Sequence, residues 1–409
     1  MGERFPGGVI SKTPPEVTGQ SLELSNLYAW GYGPSLGIGA NSNQIVASGV
    51  WSLSEVLGFA QAGLWPPPFD SSGNRSSPIS VGALTDWASA ATGQHVLAVR
   101  DGGSLYSWGN NLNGQLGQND ILTRSSPSQV GALTNWSKID ARDFTSAAIK
   151  TDGTLWTWGR DFAGMLGLNT NGVARSSPVQ VGALTDWAQI SVGGFHCSAI
   201  KTDGTLWSWG WNGDGQLGLN LSTAASSARS SPVQVGALST WASVSAGFIH
   251  TLAVTTGNAL YVWGDNGPYG QLGTSDVINR SSPVQVGALT NWLRVGGGSF
   301  HSGAIKTDNT LWAWGSNNYG QLGDNTVVRK SSPVQVGALS DWSKLSIGSN
   351  RITAIKTDGT LWAWGRNVIG YLGDGTSNVS KSSPVQIGTL TTWSEVSAVG
   401  AVSVAIKAV

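Results

Sequence analysis

Charged residues are scarce in this chain of 409 residues, where 23 Lys or Arg and 23 Asp or Glu make up only 11%. A typical soluble domain carries about 25%. The two signs balance, so the chain offers no strongly basic surface of the kind that binds nucleic-acid phosphates. No apolar run approaches the roughly 20 residues of a membrane-spanning helix. We therefore expect no nucleic-acid partner and no membrane insertion.

Cysteine and histidine are also few. A single cysteine, Cys197, excludes an intrachain disulfide. The histidines His95, His196, His250 and His301 occupy one repeated position in different repeats, without the close spacing of a zinc site. We interpret them as structural. Cys197 adjoins His196, and neighbours on a strand point to opposite faces, which excludes a nucleophile–base pair. With no acid pair, phosphate loop or nucleophile elbow either, we predict no enzymatic activity, no metal and no cofactor.

One five-residue phrase, Leu-aromatic-x-Trp-Gly, is abundant. It occurs seven times, on Trp30, Trp108, Trp158, Trp209, Trp263, Trp314 and Trp364. From the second copy onward the spacings are 50, 51, 54, 51 and 50 residues. A fixed period near 50 is typical of repeat architectures, in which each unit buries its core against its neighbours.

Each repeat predicts four short antiparallel strands and no helix. A basic residue and Ser-Ser-Pro come first, followed by a strand and a turn, a second repeated tryptophan, an apolar strand, an Asp-Gly turn and the Trp-Gly strand. The second tryptophans are Trp87, Trp136, Trp187, Trp241, Trp292, Trp342 and Trp393. The Asp-Gly pair predicts a type I′ hairpin turn. Aromatics on both strand faces require burial on both sides, which predicts an all-β, seven-bladed propeller.

The two ends of the chain are complementary. The last repeat ends at Val409 without a Trp-Gly strand, whereas the phrase at Trp30 has no strands of its own. We predict that this N-terminal strand closes the last blade. The predicted organisation is an N-terminal arm (1–25), the closing strand of blade 7 (26–37), an insertion (38–74), and blades 1 to 7 at 75–123, 124–174, 175–228, 229–279, 280–329, 330–380 and 381–409.

The insertion is the best candidate for a partner-binding site, because it interrupts the repeat. Ser52 and Glu55 have capping-box spacing, and apolar residues recur at helical spacing, which predicts a short amphipathic helix at about 53–62. The candidate partner-binding residues are Trp51, Leu53, Leu57, Phe59, Trp65 and Phe69. Either the insertion packs on its own propeller or it docks on another chain, and the arm at 1–25 poses the same question.

Two sets of charged residues could serve either a binding role or a structural role. Arg142, Asp143, Arg160 and Asp161 occur in one repeat only, and we favour an internal salt-bridge patch over a binding spot. The basic residues before Ser-Ser-Pro recur in every repeat, so we favour hydrogen bonds to loop carbonyls over an anion-binding ring. They are Arg75, Arg124, Arg175, Arg229, Arg280, Lys330 and Lys381.

These repeats resemble the regulator of chromosome condensation family. The resemblance rests on the period, the Trp-Gly strand, the Gly-Gln-Leu-Gly segments at 114–117, 270–273 and 320–323, and the Gly-x-x-His element at 193–196. It covers residues 26–37 and 75–409. It implies a seven-bladed propeller, and its founding member is a guanine-nucleotide exchange factor for a small GTPase that binds nucleosomes.

A second, fainter resemblance concerns the N-terminal segments. Residues 5–15, 48–53 and 62–66 look like short segments of structural proteins from marine tailed phages. On that basis we predict a structural or binding propeller of a phage virion, tail- or capsid-associated. It would be attached through its arm and insertion, with other virion proteins or a host-surface molecule as partners. The alternatives are an exchange-factor-like regulator of a small GTPase, with a cytoplasmic location, and a glycan-binding lectin.

Overall fold

Seven four-stranded antiparallel sheets form a closed propeller in the computed structural model, which describes residues 26–31, 36, 74–221, 227–400 and 402–408. The predicted all-β, seven-bladed fold is confirmed. In the described part of the chain, no helix has the length and apolar character needed to cross a bilayer.

The blades are named here from the inner strand to the outer strand. Blades 1 to 3 are β3 (Trp87–Thr92), β4 (His95–Arg100), β5 (Leu105–Gly109), β6 (Arg124–Gln129); β7 (Trp136–Arg142), β8 (Thr145–Lys150), β9 (Leu155–Gly159), β10 (Arg175–Gln180); and β11 (Trp187–Val192), β12 (His196–Lys201), β13 (Leu206–Gly210), β14 (Arg229–Gln234). Blades 4 to 6 are β15 (Trp241–Ala246), β16 (His250–Thr255), β17 (Leu260–Gly264), β18 (Arg280–Gln285); β19 (Trp292–Gly297), β20 (His301–Lys306), β21 (Leu311–Gly315), β22 (Lys330–Gln335); and β23 (Trp342–Ile347), β24 (Arg351–Lys356), β25 (Leu361–Gly365), β26 (Lys381–Gln386). Blade 7 is β27 (Trp393–Ser397), β28 (Val402–Lys407), β1 (Asn26–Gly31) and β2 (Arg75–Ser80).

Blade 7 joins the two ends of the chain. Strand β1 pairs with β28 in continuous register, from Asn26 opposite Lys407 to Gly31 opposite Val402. The predicted closure by the N-terminal strand is therefore confirmed. Strand β2 pairs with the other edge of β1, so each end of the chain supplies two strands of this sheet.

The sheets and the sequence repeats are out of phase by one strand. Each predicted repeat begins with the Ser-Ser-Pro strand, but that strand is the outer strand of the preceding sheet. Strand β26, for example, begins at Lys381 and pairs with β25 of blade 6. Each repeat therefore begins in one blade and continues in the next, and the connection from outer strand to inner strand crosses the interface between them.

The repeated aromatics lie on one face of each blade and not on both as predicted, because alternate side chains of the Trp-Gly strand point to opposite faces. In β13 the other face carries Leu206, which packs against blade 4, so both faces are still buried. In β13, Trp209 is fully buried and packs on Trp187, with ring centroids 6.2 Å apart. Its Nε1 donates to the carbonyl oxygen of Met165 in blade 2, at 3.0 Å. The same indole-to-loop bond recurs around the ring, from Trp30 to Tyr371 and from Trp158 to Gln115. Repeated tryptophans thus bind each blade to its neighbour.

Replacement of Trp209 by Ala is expected to cost about 3–5 kcal/mol of stability, because a fully buried ring leaves a cavity. Trp207, on the same strand, is only half-buried, and its Nε1 donates within its own blade, to Thr205 at 2.9 Å. The matched variant Trp207→Ala is expected to cost clearly less. Urea unfolding followed by circular dichroism gives both values. Equal losses would contradict the role of Trp209 in joining the blades.

The hairpin turns differ from the predicted type I′. In blade 2, the N–H of Gly153 donates to the carbonyl of Lys150 at 3.0 Å, and Gly153 has φ of 77°. Asp152 is not among the residues with positive φ. The geometry is a type I turn followed by a left-handed glycine, the usual three-residue hairpin loop. The prediction was wrong because the Asp152 carboxylate accepts bonds from the backbone and hydroxyl of Thr154, at 3.0 and 2.7 Å, and so stabilises the type I conformation.

The two ends of the propeller have different compositions. One end, the connector face, carries the Asp-Gly hairpins and the connections between blades. The other end, the loop face, carries the turns from inner to second strands and the loops from third to outer strands. The connections repeat nearly the same sequence, whereas the loops vary between blades. Variation between blades is therefore concentrated on the loop face.

Candidate functional site

The predicted partner-binding residues lie outside the described residues. Trp51, Leu53, Leu57, Phe59, Trp65 and Phe69 belong to this group, as do the predicted helix at 53–62 and the arm at 1–25. Their role stays a prediction.

Three of the four histidines, His95, His196 and His250, connect adjacent blades through hydrogen bonds. Nε2 of His95 lies 2.6 Å from Oγ of Ser146 in the next blade, and His196 makes the same contact with Thr251 at 2.8 Å. The Ser146 hydroxyl donates its own hydrogen to the carbonyl of Gln115, so the imidazole is the donor. Burial lowers the pKa of His95 and His196 to about 3, which keeps both rings neutral. These contacts confirm the structural interpretation.

Cys197 and its neighbour His196 face different blades, as predicted. The thiol is fully buried and donates to the carbonyl of Met165 in blade 2, at 3.3 Å, whereas His196 contacts blade 4. Burial raises the pKa of the thiol. A buried, protonated thiol cannot reach a substrate as a nucleophile. Among the described residues, no group of three or more His, Cys, Asp or Glu is placed to hold a metal ion.

The basic residues before Ser-Ser-Pro bind their own loops. Arg124 donates to the carbonyl of Leu122 at 2.9 Å and pairs with Asp120 at 2.8 Å. Arg280 donates to the carbonyl of Ile278 at 3.0 Å, and Arg229 also donates to loop carbonyls. For these three arginines the predicted loop bonds are confirmed.

Arg142 reaches across the central channel, a role that the sequence did not predict. Its guanidinium donates from Nη1 to the carbonyls of Ala246 in blade 4 and Gly297 in blade 5, at 3.0 Å each. Asp161 instead accepts bonds from its own loop, including Thr170 Oγ1 at 3.0 Å. For Arg142 and Asp161 the predicted internal salt-bridge patch is wrong, because these two residues bind separate partners. For Asp143 and Arg160 it stays a prediction. Arg142 lines a cavity of about 130 Å³ at the channel.

Inner strands are linked around the channel by side chains that accept a backbone N–H of the next blade. Ser191 accepts from Ala246 at 2.9 Å, and Ser245 accepts from Gly297 at 3.0 Å. In blade 2 the acceptor is Asp140, which receives the N–H of Val192 at 2.7 Å. Burial raises the pKa of Asp140 to about 6. These bonds hold the inner strands in place.

A cluster of aromatic side chains covers the loop face of blades 2 to 5. The ring centroids of Phe195 and Phe248 are 5.0 Å apart, and those of Phe162 and Phe195 are 5.2 Å apart. The buried members are Phe195, Trp211, Phe248, Ile249 and Phe300, and partly buried Phe144, Phe162, Ala163 and Tyr269 pack against them. The sequence carries a signal for this cluster, since three repeats have Phe immediately before the histidine position.

A pair of carboxyl groups lies beside this cluster. The pKa of Asp265 is raised to about 7, mainly because the carboxyl group is buried and secondly because the Asp214 carboxyl lies nearby. Burial also raises the pKa of Asp214, whose Oδ1 accepts a bond from Asn279 at 3.2 Å. Asp265 accepts further bonds from Gln271 and the backbone of Gly267. The loop face thus differs between blades in charge as well as in shape.

Comparison with known proteins agrees with this geometry. The family model of the RCC1-like domain matches residues 26–405. The chain belongs to the RCC1-like domain family. Solved structures share the propeller fold. Prp20p from Saccharomyces cerevisiae superposes with a TM-score of 0.75 at 20% identity, covering 95% of this chain and 92% of that one. Human WBSCR16 gives 0.77 at 18% identity, covering 94% and 99%.

Two curated relatives come from Arabidopsis thaliana. The mitochondrial RCC1 domain-containing protein RUG3 is 29% identical over 56% of this chain and 53% of its own length. The ultraviolet-B receptor UVR8 is 33% identical over 54% of this chain and 39% of its own length. The matches thus span about half or less of each relative. They support a binding or regulatory role for a propeller of this family.

Proposed function

We propose that this chain is a non-enzymatic protein-binding propeller that contacts its partner through the loop face. The observation that carries the proposal is a series of exposed aliphatic side chains on the outer loops. They are Ile121, Leu122, Val173, Val277, Ile278, Val327, Val328 and Val379, with exposed fractions of 44–66%. Exposed aliphatic side chains grouped on one face are typical of protein interaction sites.

The distribution of these side chains favours a specific contact over a general property of the repeat. Adjacent aliphatic pairs occur in the outer loops of blades 1, 4 and 5, whereas blades 2 and 6 contribute single valines. The connector face also exposes leucines, such as Leu184 and Leu339, but these recur at the same position of successive repeats. A feature that differs between blades can orient one partner on a ring.

Within this role, we favour a regulator of a small GTPase over a virion component. Membership of the RCC1-like domain family supports this choice, and the yeast relative Prp20p is described with its binding to Gsp1p and histones. The relatives named above give no support to the virion interpretation. The proposal also favours the cytoplasmic location over the virion.

The proposal is tested by nucleotide release and binding with a panel of purified small GTPases that includes Gsp1p. Release of a fluorescent GDP analogue is expected to accelerate with at least one GTPase. A variant with Ile121, Leu122, Val277 and Ile278 all changed to Ser is expected to weaken that binding at least about tenfold. The loops should keep their shape, because Asp120 and Asp276 hold them through the backbone N–H groups of Leu122 and Ile278.

The matched control changes exposed leucines on the connector face, Leu184→Ser with Leu339→Ser, and is expected to leave binding unchanged. An equal loss of binding in the control variant would show that the partner does not bind specifically at the loop face. Absence of binding and of nucleotide release across the whole panel would refute a GTPase regulator.

A further inference from the structure

Two surface grooves have the same lining three blades apart. The first lies between blades 1 and 2 and has a volume of about 460 Å³. The second lies between blades 4 and 5 and has a volume of about 210 Å³. The shared lining residues are Gly117, Val130, Gly131, Leu133, Trp136, Trp156, Ser177 and Pro178 in the first, and Gly273, Val286, Gly287, Leu289, Trp292, Trp312, Ser332 and Pro333 in the second. Both therefore present indole rings, a proline, a serine and glycines.

A lysine ammonium lies against the tryptophans of each groove. Nζ of Lys150 is 3.7 Å from the centroid of the Trp156 ring and 4.9 Å from that of Trp136. Lys306 repeats this arrangement in blade 5, 3.7 Å from Trp312, and lines the second groove, whereas Lys150 packs against the tryptophans of the first groove without being one of its lining residues. Both lysines are buried, at 7% and 5% exposure. Burial lowers the pKa of both lysines.

Blades 3 and 6 contain the same lysine with a carboxylate partner. Lys201 pairs with Asp186 at 3.4 Å, and Lys356 pairs with Asp341 at 3.3 Å. Both ammonium groups lie 4.4 Å from the equivalent outer tryptophan, farther than in blades 2 and 5. The aspartate occupies the position immediately before the inner tryptophan.

In blades 2 and 5 that position is an amide, Asn135 or Asn291. Among the described residues, no carboxylate forms an ion pair with Lys150 or Lys306. Each of these two buried ammonium groups therefore lacks the direct ion pair of blades 3 and 6, and only the more distant charge of the hairpin aspartate, Asp152 or Asp308, favours its charged form. A buried charge without a direct ion pair is costly, and a bound anion would stabilise it.

We propose that the two grooves bind an acidic saccharide, with a uronate unit stacked on Trp156 or Trp312 and its carboxylate paired with Lys150 or Lys306. The apolar C–H face of a pyranose matches a half-exposed indole, and the serine hydroxyl matches its ring hydroxyls. The charge selects an anionic sugar over a neutral one. Gln118 and Asn119 also line the first groove, where the Gln118 amide donates to Ser107 and the Asn119 amide oxygen accepts from Ser177. This activity is separate from partner binding on the loop face.

The difference between the blades provides a test of saccharide binding. The double variant Asn135→Asp with Asn291→Asp recreates the lysine–aspartate pair that blades 3 and 6 already contain, so it should fold normally. Isothermal titration with an oligogalacturonate of defined length is expected to show two sites per wild-type chain. The double variant is expected to bind at least about tenfold more weakly, which corresponds to about 1.4 kcal/mol. A neutral galacto-oligosaccharide of equal length is the control ligand and is expected to bind much more weakly to both proteins.

The reverse variant, Asp186→Asn with Asp341→Asn, is expected to add sites in blades 3 and 6. Equal affinity of the wild type and the Asn135→Asp, Asn291→Asp variant would overturn the proposal, as would equal binding of the neutral sugar. Equal binding of an oligoglutamate of the same charge would indicate an acidic peptide as the ligand and would also overturn the proposal. The serine variant of the loop face is expected to keep full saccharide binding, so the two proposals fail separately.

Discussion

Removal of residues 1–37 is expected to unfold the protein or convert it to oligomers. The deletion takes away β1, which is the hydrogen-bonded link between β28 and β2 in blade 7. It also removes Trp30, a fully buried ring whose Nε1 donates to the carbonyl of Tyr371 in blade 6 at 3.0 Å. The exposed edge of β28 would then pair with another chain, because an open edge is a template for association.

The matched deletion of residues 1–20 keeps β1 and is expected to leave the midpoint of thermal unfolding nearly unchanged. Size-exclusion chromatography with light scattering reports the oligomeric state, and tryptophan fluorescence reports the unfolding of both variants. If the two deletions proved equally stable and monomeric, ring closure by β1 would not contribute to stability.

Acidification is expected to reduce the free energy of unfolding by about 2.7 kcal/mol per pH unit near pH 5. Burial lowers the pKa of His95, His196 and His301 from 6.5 to about 3, and that of His250 also lies well below 6.5. Between these values the unfolded chain binds the protons and the folded chain does not. The stability from four neutral histidines is thus present above pH 6.5 and is lost as the pH falls.

Two carboxyl groups oppose this effect. The pKa of Asp140 is raised from 3.8 to about 6 and that of Asp265 to about 7, so near pH 5 the folded chain holds two protons that the unfolded chain lacks. Four protons against two leave a net difference of about two, at about 1.4 kcal/mol per proton and pH unit. Urea unfolding at a series of pH values between 7 and 4.5 measures the slope.

Asp265→Asn provides the internal control for this prediction. The variant removes one proton from the folded chain near pH 5, so the slope is expected to steepen to about 4 kcal/mol per pH unit. Asn is the residue at the equivalent position of blade 1, Asn110, which favours a folded variant. A slope of zero, or one that becomes shallower in the variant, would show that the buried histidines do not control acid stability.

The architecture was predictable because each repeat contains two large tryptophans that must be buried. The tryptophan of each Trp-Gly strand and the second tryptophan of each repeat are almost fully buried, from Trp30 to Trp393. Such rings are stable only between two sheets, so the sequence period translates directly into a blade count. The unpartnered copy of the phrase at Trp30 likewise required a sheet that lacked one strand, which is blade 7.

Other features were not predictable, since they depend on contacts that the repeat pattern does not contain. A repeat has no natural starting point, so the assignment of β2 and β26 to the preceding sheets needed three-dimensional pairing. Arg142 stands where other repeats have small residues such as Gly193 and Gly247, but only the closed ring brings the carbonyls of distant blades within its reach. The turn type was missed because a side chain, Asp152, changed the preference of the Asp-Gly pair.

The candidate site illustrates the same limit. The insertion at 38–74 differs from the repeat along its whole length, which is why the sequence favours it, and its role stays a prediction. The features that distinguish one blade from another within the described residues are small substitutions at repeated positions. Asn135 in place of aspartate is one, and the aliphatic pair of Ile121 and Leu122 is another. Both are visible in the sequence as differences at equivalent positions of the repeats.

Arg142 also bears on how the whole molecule unfolds. In a linear array, each repeat contacts only its neighbours, so an array can lose its terminal repeats one at a time. Arg142 instead bonds blade 2 directly to blades 4 and 5, which are not adjacent to it. Disruption of either distant blade removes one of the two carbonyl acceptors of this buried guanidinium, which destabilises blade 2 as well. Blades 2, 4 and 5 are therefore coupled beyond nearest neighbours, which favours their unfolding as one cooperative unit.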